Sequence, residues 1–363
     1  MEKMEVHTRN KTYPIWVGEN ALEMIPEIFK DKLSDATKIL VIADKHVSRL
    51  YKEKLEKHLP THVPFAWKEV PQGEAAKSMA VFESCITEAL EQNLDRKSCI
   101  IAFGGGAAGD LAGYVAASYM RGIRFLQVPT TILAHDSAVG GKVAINHPLG
   151  KNMIGHFHQP EAVIFDTNFI NSLPEKEVRS GFAEVIKHAL IKDKTFLHQL
   201  TSTLVSFEKM DSDFLEMCLC KGISIKADIV SEDETEQGIR AFLNFGHTYG
   251  HALEATVGYG RITHGEAVMI GIVYALYLSK KKYSLDLDLS SFVDWIKRLG
   301  YSLDVPETIS FNQLFSAMKR DKKTIGSSVR FVLLKEIGKP VIVEMNQEDL
   351  KEADQFIRSF SKL

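Results

Sequence analysis

Cys99-Ile100-Ile101-Ala102-Phe103-Gly104-Gly105-Gly106-Ala107-Ala108-Gly109-Asp110 is the stretch on which the fold turns. Its first half, with Ser98 before it, is an apolar run of the kind that fills a buried parallel strand. Its second half satisfies G-x-G-x-x-G and opens a predicted helix over Leu111 to Tyr119. Glycines there permit a tight turn and let backbone N–H groups approach a pyrophosphate at a helix N-terminus. A structural turn is the plain alternative, and only the strand–turn–helix context raises the motif above it. Outward on both sides the grammar repeats. Lys38-Ile39-Leu40-Val41-Ile42-Ala43 and Ile123-Arg124-Phe125-Leu126-Gln127-Val128 read as further strands, and Lys77 to Asn93 as a helix. Alternation of this kind predicts an open, mostly parallel sheet covered by helices, a Rossmann-like α/β domain.

One element of the usual dinucleotide pattern is displaced. No acidic residue ends the strand after the glycine turn, which finishes at Gln127-Val128-Pro129. The candidate to hydrogen-bond a ribose is Asp44, at the end of the earlier strand. A carboxylate there favours NAD over NADP by repelling a 2′-phosphate. A helix N-cap is the competing role for the same side chain.

From about Pro174 the pattern changes. Segments 175–194, 213–231, 244–257, 265–282 and 290–299 carry apolar residues at helical spacing. A short strand pair, Val329 to Leu334 and Pro340 to Met345, and a final helix close the chain. The expected organisation is therefore α/β followed by all-α, with residues 1–165 as the nucleotide-binding domain and 166–363 as a helical metal- and substrate-binding domain.

Composition excludes several classes. A formal charge of -3 over 363 residues gives no reason to expect nucleic-acid or anionic-membrane partners. The four cysteines, Cys85, Cys99, Cys218 and Cys220, form no CxxC pair, so reduced thiols in a cytoplasmic protein are expected. The first residues alternate like a strand and lack the apolar core of a signal peptide, and no window approaches a membrane-spanning run.

Two further stretches carry chemistry. Val128 through Asp136 to Gly140-Gly141-Lys142, continuing to Asn146 and Gly150-Lys151-Asn152, packs glycines, hydroxyls, amides and two lysines into 25 residues. It reads as a flexible, donor-rich loop suited to a phosphorylated or polyhydroxylated ligand. Farther on, His247 and His251 are spaced i, i+4 on a predicted helix, and His264 follows shortly after. Glu184, Lys187 and His188 stand i, i+3, i+4 on another helix. Histidines plus a carboxylate drawn from different helices suit a three-ligand metal site with an open position. Spacing alone does not say which histidines bind, since His247-Thr248-Tyr249-Gly250-His251 lacks the glutamate of an H-E-x-x-H helix.

Taken together, GGGAAGDLAGYVAASYMRG, PTTILAHDSAVGGKVAINHPLGKNMIG, GFAEVIKHALI, RAFLNFGHTYGHALE, HGEAV and MKRDKK resemble, in order, the signature blocks of the 3-dehydroquinate synthase family. The resemblance implies a Rossmann-like N-terminal domain, a helical C-terminal domain and an active site in the cleft between them. It puts the metal on Glu184, His247 and His264, with zinc or cobalt as the ion, and leaves His251 as an active-site group. It puts NAD on Asp44, Gln72, Gly73, Glu74, Lys77, Gly105, Gly106, Asp110, Thr130, Thr131, Lys142, Lys151, Phe169 and Ser172. Catalytic and substrate contacts fall on Arg121, Asp136, Lys142, Asn152, Lys187, Lys226, Arg240, Asn244, His251 and Lys322. Several cations converging on one site suit a substrate with both carboxylate and phosphate. One local departure is Leu133-Ala134-His135-Asp136, a residue shorter than the family's usual run before that aspartate; a loop adjustment that keeps Asp136 is expected.

The reaction so implied belongs to the shikimate pathway of aromatic amino-acid biosynthesis. NAD takes a hydride from C5 of 3-deoxy-D-arabino-heptulosonate 7-phosphate, phosphate leaves by β-elimination, the hydride returns, and an aldol step closes the ring. The enzyme would be a phosphate-eliminating lyase and a homodimer. Two alternatives stay open: another sugar phosphate cyclase, or a metal-dependent polyol dehydrogenase of the related fold.

Overall fold

The computed structural model describes residues 1–258, 260–320 and 329–360. They divide into two compact units, Met1–Leu173 with Ser212–Thr235, and Pro174–Asp211 with Glu236–Leu363.

The first unit runs β1 (Glu2–His7), β2 (Thr12–Gly18), α1 (Ile25–Lys32), β3 (Ile39–Asp44), α2 (Lys45–Glu56), β4 (Phe65–Val70) and α3 (Met79–Glu91). It continues through β5 (Cys99–Gly104), α4 (Gly106–Ser118), β6 (Arg124–Pro129), α5 (Ala134–Ser137), β7 (Lys142–His147), β8 (Gly150–Phe157) and β9 (Ala162–Asp166). Seven strands form one sheet in the order β1-β2-β9-β6-β5-β3-β4, parallel throughout except for the β1–β2 pair. The apolar runs are buried on both faces because a strand presents alternate residues to opposite sides. Ile39, Val41 and Ala43 join one core with α1 and α2, while Leu40 and Ile42 join the other with α3 and α4.

The second unit begins with α6 (Glu175–Lys192) and α7 (Lys194–Thr203). After α8 (Ser212–Glu232), it resumes with α9 (His247–Val257), α10 (His264–Tyr283), α11 (Leu289–Arg298) and α12 (Phe311–Arg320). An antiparallel pair, β10 (Val329–Glu336) and β11 (Lys339–Met345), precedes the last helix, α13 (Gln347–Ser359). No helix among the described residues is long and apolar enough to cross a membrane.

Four expectations need correction. The division falls at Leu173/Pro174, not near Asp166, and α8 belongs to the first unit. Helical periodicity identifies a helix but says nothing of which core its apolar face will join. Helix α4 starts at Gly106, five residues before the predicted start, because its first turn is built from the glycine motif itself. The expected flexible loop over 128–152 is ordered into α5 and the antiparallel β7–β8 hairpin, and Val143, Ala144 and Ile145 are buried there. The predicted helix 244–257 begins only at His247, after a 3-10 turn over Ile239–Asn244.

Close packing of α9 and α10 depends on missing side chains. A Cβ on Gly271 would lie 1.9 Å from the carbonyl oxygen of Gly246, and one on Gly265 would lie 1.9 Å from that of Ser180 in α6. The helices that carry Glu184, His247 and His264 thus meet backbone to backbone.

Candidate functional site

In the first unit the expected nucleotide residues gather at the carboxyl ends of β3, β5 and β6, where open α/β sheets bind ligands. Gly104 ends β5 at φ +154, and a side chain there would strike Ala108 and Asp44. Gly105 lies against Thr131, and Gly106 against the Ser137 hydroxyl, 2.7 Å from where a Cβ would stand. Asp44 does cap α2, its Oδ1 accepting from His46 and Val47 N–H at 2.8 and 3.3 Å. Its Oδ2 accepts the Gly73 N–H at 3.2 Å, so two residues of the expected cofactor set are tied together. Thr130, beside them, has a buried Oγ1 with no hydrogen-bond partner.

Lys77 is 2 % exposed and donates to Asp110 at 2.5 Å and to the Asn152 amide oxygen. Burial pushes the Asp110 carboxyl above its usual range, against the pull of the Lys77 ammonium. Asn152 sits at φ +56 in the hairpin, and Asn146 of the same hairpin donates to Glu74 at 2.7 Å. Lys226 of α8 pairs with Asp136 at 3.0 Å and donates to the Asp136 carbonyl. The shortened run before Asp136 is a helical turn, anchored by buried His135, whose Nδ1 lies 2.6 Å from the Ile132 carbonyl. Gln72, Glu74, Arg121, Lys142 and Ser172 are exposed, and Lys151 is half-buried. Phe169 is fully buried, its ring packed edge-on against Tyr51 and Phe103. Lys322 lies outside the described residues.

In the second unit three helices bring Glu184, His247, His251 and His264 together. His247 is the first residue of α9, after Gly246 at φ +80; His264 is the first of α10, fixed by a Thr263–Glu266 capping box. Glu184 sits mid-helix in α6, 1 % exposed. Its Oε1 lies 3.4 Å from His247 Nε2 and 3.5 Å from His264 Nε2, and Lys187 pairs with its Oε2. These spacings are long for hydrogen bonds, and neither oxygen of this buried carboxylate accepts a well-formed one. They match the edge of a tetrahedron with metal–ligand bonds of about 2.1 Å, roughly 3.4 Å. Both histidines engage Nδ1 elsewhere, His247 at 3.1 Å from the Phe245 carbonyl and His264 at 3.0 Å from Glu254, so both present Nε2 inward. The residues fit a divalent metal.

His251 completes a cluster in which the ligand atoms of three imidazoles lie within 4.8 Å of one another, and its ring stands edge-on to His247 at 5.1 Å. Spacing could not rank the three; Glu184 Oε1 lies near the Nε2 atoms of both His247 and His264. Burial opposes ionisation of Glu184, yet the Lys187 and His247 charges hold it well below the usual carboxylate range. Burial pushes His247 down to about 4. For His264 burial is outweighed by Glu184 and Glu254, raising it to about 10. Arg240 is buried in the same unit, and Asn244 donates to Glu236 at 2.8 Å. Glu254 escaped the sequence reading, although it stands seven residues after His247 and shares its helix face.

Known proteins match this chain from end to end. The family described as 3-dehydroquinate synthase N-terminal matches residues 67–180, and that described as 3-dehydroquinate synthase C-terminal matches residues 181–324. A 3-dehydroquinate synthase of Listeria monocytogenes serotype 4b is 52% identical over 348 residues, 96% of this chain and 95% of the relative. One from Geobacillus kaustophilus is 48% identical over 366 residues, the full length of both. Among solved structures, 2-deoxy-scyllo-inosose synthase complexed with carbaglucose-6-phosphate, NAD+ and Co2+ superposes with a TM-score of 0.89 at 26% identity, covering 99% of this chain and 100% of that one. With both halves matched and near-full-length relatives at about half identity, the chain belongs to the 3-dehydroquinate synthase family.

Proposed function

We propose that the chain converts 3-deoxy-D-arabino-heptulosonate 7-phosphate to 3-dehydroquinate and phosphate, with NAD held by the first unit and zinc or cobalt by the second. The observation that carries this reading is the likeness to 3-dehydroquinate synthases across nearly the whole chain. Geometry supports the metal through the spacing of Glu184 Oε1 from two inward-facing Nε2 atoms. It supports NAD through the glycine turn, Asp44 and the buried Thr130 hydroxyl gathered at the strand ends.

When bound, NAD supplies a hydride acceptor regenerated within each turnover, and the metal supplies a Lewis acid that acidifies the hydroxyl being oxidised. The chain's own part is binding, orientation and proton handling. Glu184, His247 and His264 hold the ion. His251, its ring 5.1 Å from His247, is positioned to move a proton beside it. In this reading Arg121, Lys142, Asn152, Lys187, Lys226 and Arg240 bind the anionic groups of the substrate. Asp136 positions Lys226 through the 3.0 Å ion pair. Asn244 and Lys322 complete the expected substrate set. A homodimeric, cytoplasmic enzyme goes with this reading on the family resemblance, and sedimentation analysis checks the dimer.

Purified protein given NAD, zinc or cobalt and the heptulosonate phosphate is expected to release phosphate and 3-dehydroquinate with no net NADH. Stoichiometric NADH would instead identify a dehydrogenase, and phosphate release only from a sugar phosphate lacking the carboxylate would identify a different cyclase.

A further inference from the structure

Glu254 lies on α9 seven residues after His247, on the helix face that also carries His251. Its carboxylate is 4 % exposed, and its Oε2 lies 3.0 Å from His264 Nδ1 on the neighbouring helix α10. The other nitrogen of that ring faces Glu184 Oε1 at 3.5 Å. One imidazole is therefore flanked by two buried carboxylates, one on each nitrogen. A buried carboxylate is costly unless it is paired. A ring held from one side already satisfies Glu254, so a purely structural pair does not call for the second carboxylate opposite it. Both contacts follow at once if Nδ1–H donates to Glu254 and Nε2 carries a cation shared with Glu184. His247 is oriented in a different way, its Nδ1 lying 3.1 Å from the Phe245 carbonyl, a neutral acceptor.

We propose that Glu254 is a positioning residue for the metal site, fixing the tautomer and ring orientation of His264 and raising its basicity as a ligand. The proposal rests on the metal-site reading above. Helix α9 thereby supplies one ligand directly and braces the ligand presented by α10. The two histidines are unequal: the anionic brace makes His264 the stronger donor of the pair.

The test compares Glu254→Gln, Glu254→Ala, His264→Ala and the unaltered protein, each purified metal-free. Zinc affinity is measured by chelator competition, the visible spectrum of the cobalt form is recorded, and circular dichroism checks the fold. Glu254→Gln keeps the shape and an acceptor oxygen but loses the charge. It is expected to bind zinc about 10-fold more weakly, and Glu254→Ala about 100-fold more weakly. Shifted cobalt bands and an unchanged dichroism spectrum for Glu254→Gln are expected alongside. Zinc affinity within twofold of the unaltered protein in both variants, while His264→Ala loses the metal, would overturn the role of Glu254 and leave the metal site standing. Failure of the unaltered protein itself to bind zinc would overturn both.

Discussion

Gly265→Ala is the most searching perturbation of the packing that builds the metal site. The added Cβ would sit 1.9 Å from the Ser180 carbonyl oxygen and 2.5 Å from both its carbon and Cα, where ordinary contact begins near 3.4 Å. All three atoms are backbone, so no rotamer change relieves the clash, and α10 must retreat from α6 by roughly 1.5 Å. The retreat also stretches the 3.0 Å bond from the Gly265 N–H to the Ser180 hydroxyl, worth about 1 kcal/mol. Overpacking of this kind costs about 1–3 kcal/mol, which urea unfolding of the metal-free protein would read as a lower midpoint. The same displacement reaches the site, since His264 precedes Gly265 and Glu184 lies one turn beyond Ser180. Their 3.5 Å spacing would widen further from the roughly 3.4 Å edge that a tetrahedral ion spans, and a misplacement of about 1 Å costs on the order of a hundredfold in turnover. Phosphate release and zinc affinity should therefore fall together with stability. A Gly265→Ala protein with the original urea midpoint and zinc affinity would refute the argument that glycine-mediated contact sets the ligand geometry.

Lys77→Met should leave the half-buried Asp110 carboxylate without its cation and cost about 1–3 kcal/mol, read by urea unfolding; a midpoint within error of the original would show the pair to be dispensable. Tyr249→Phe removes the 2.8 Å bond to the buried Asp354, which Arg358 also holds at 2.7 Å, and should cost about 1–3 kcal/mol in the same assay. His158 is expected to give a pH effect. Burial lowers its pKa below the ordinary 6.5, while its Nε2 meets the Ile123 carbonyl at 2.8 Å. The unfolded chain therefore takes up the proton first, and stability falls as pH drops below about 6.5 until the lowered folded pKa is passed. His158→Gln should lose less stability than the unaltered protein between pH 7.5 and pH 5, and equal losses would remove burial as the cause.

What the sequence disclosed, and what it hid, follows from the range of each signal. Strands β3 and β5 were legible because burial on both faces leaves an unbroken apolar run, and β6 because Gln127 alone interrupts its buried one. The helices α6 and α8 to α11 showed their 3.6-residue period, and the β10–β11 pair its turn. Helices α7 and α12 went unnoticed. The β7–β8 hairpin was hidden because its glycines, lysines and asparagines look like a loop, and Val143 and Ile145, with Ile154 packed against their cluster, carry it into the core. In the site, Glu184, His247, His251 and His264 were legible as residue types. Which nitrogen faces which oxygen depends on helix packing, beyond the reach of spacing. Glu254 was hidden for a simpler reason: a lone glutamate on a helix is ordinarily a solvated charge, and only its 4 % exposure marks it out.

The assignment of α8 to the first unit has a consequence for how the protein is made. Helix α8 packs on β1, β2 and α5, and Glu216 within it holds the Met1 amino group at 3.1 Å. A ribosome that has delivered the first 173 residues has made every strand of the main sheet but not the helix that covers its starting edge. The unit built first in sequence is therefore closed only after α6 and α7 of the other unit have emerged. A nascent chain must keep the edge strand β1 from pairing with other chains until then, and a truncation at Leu173 would expose the same uncovered surface. The two units are consecutive in name only: neither can be cut free by a single break in the chain.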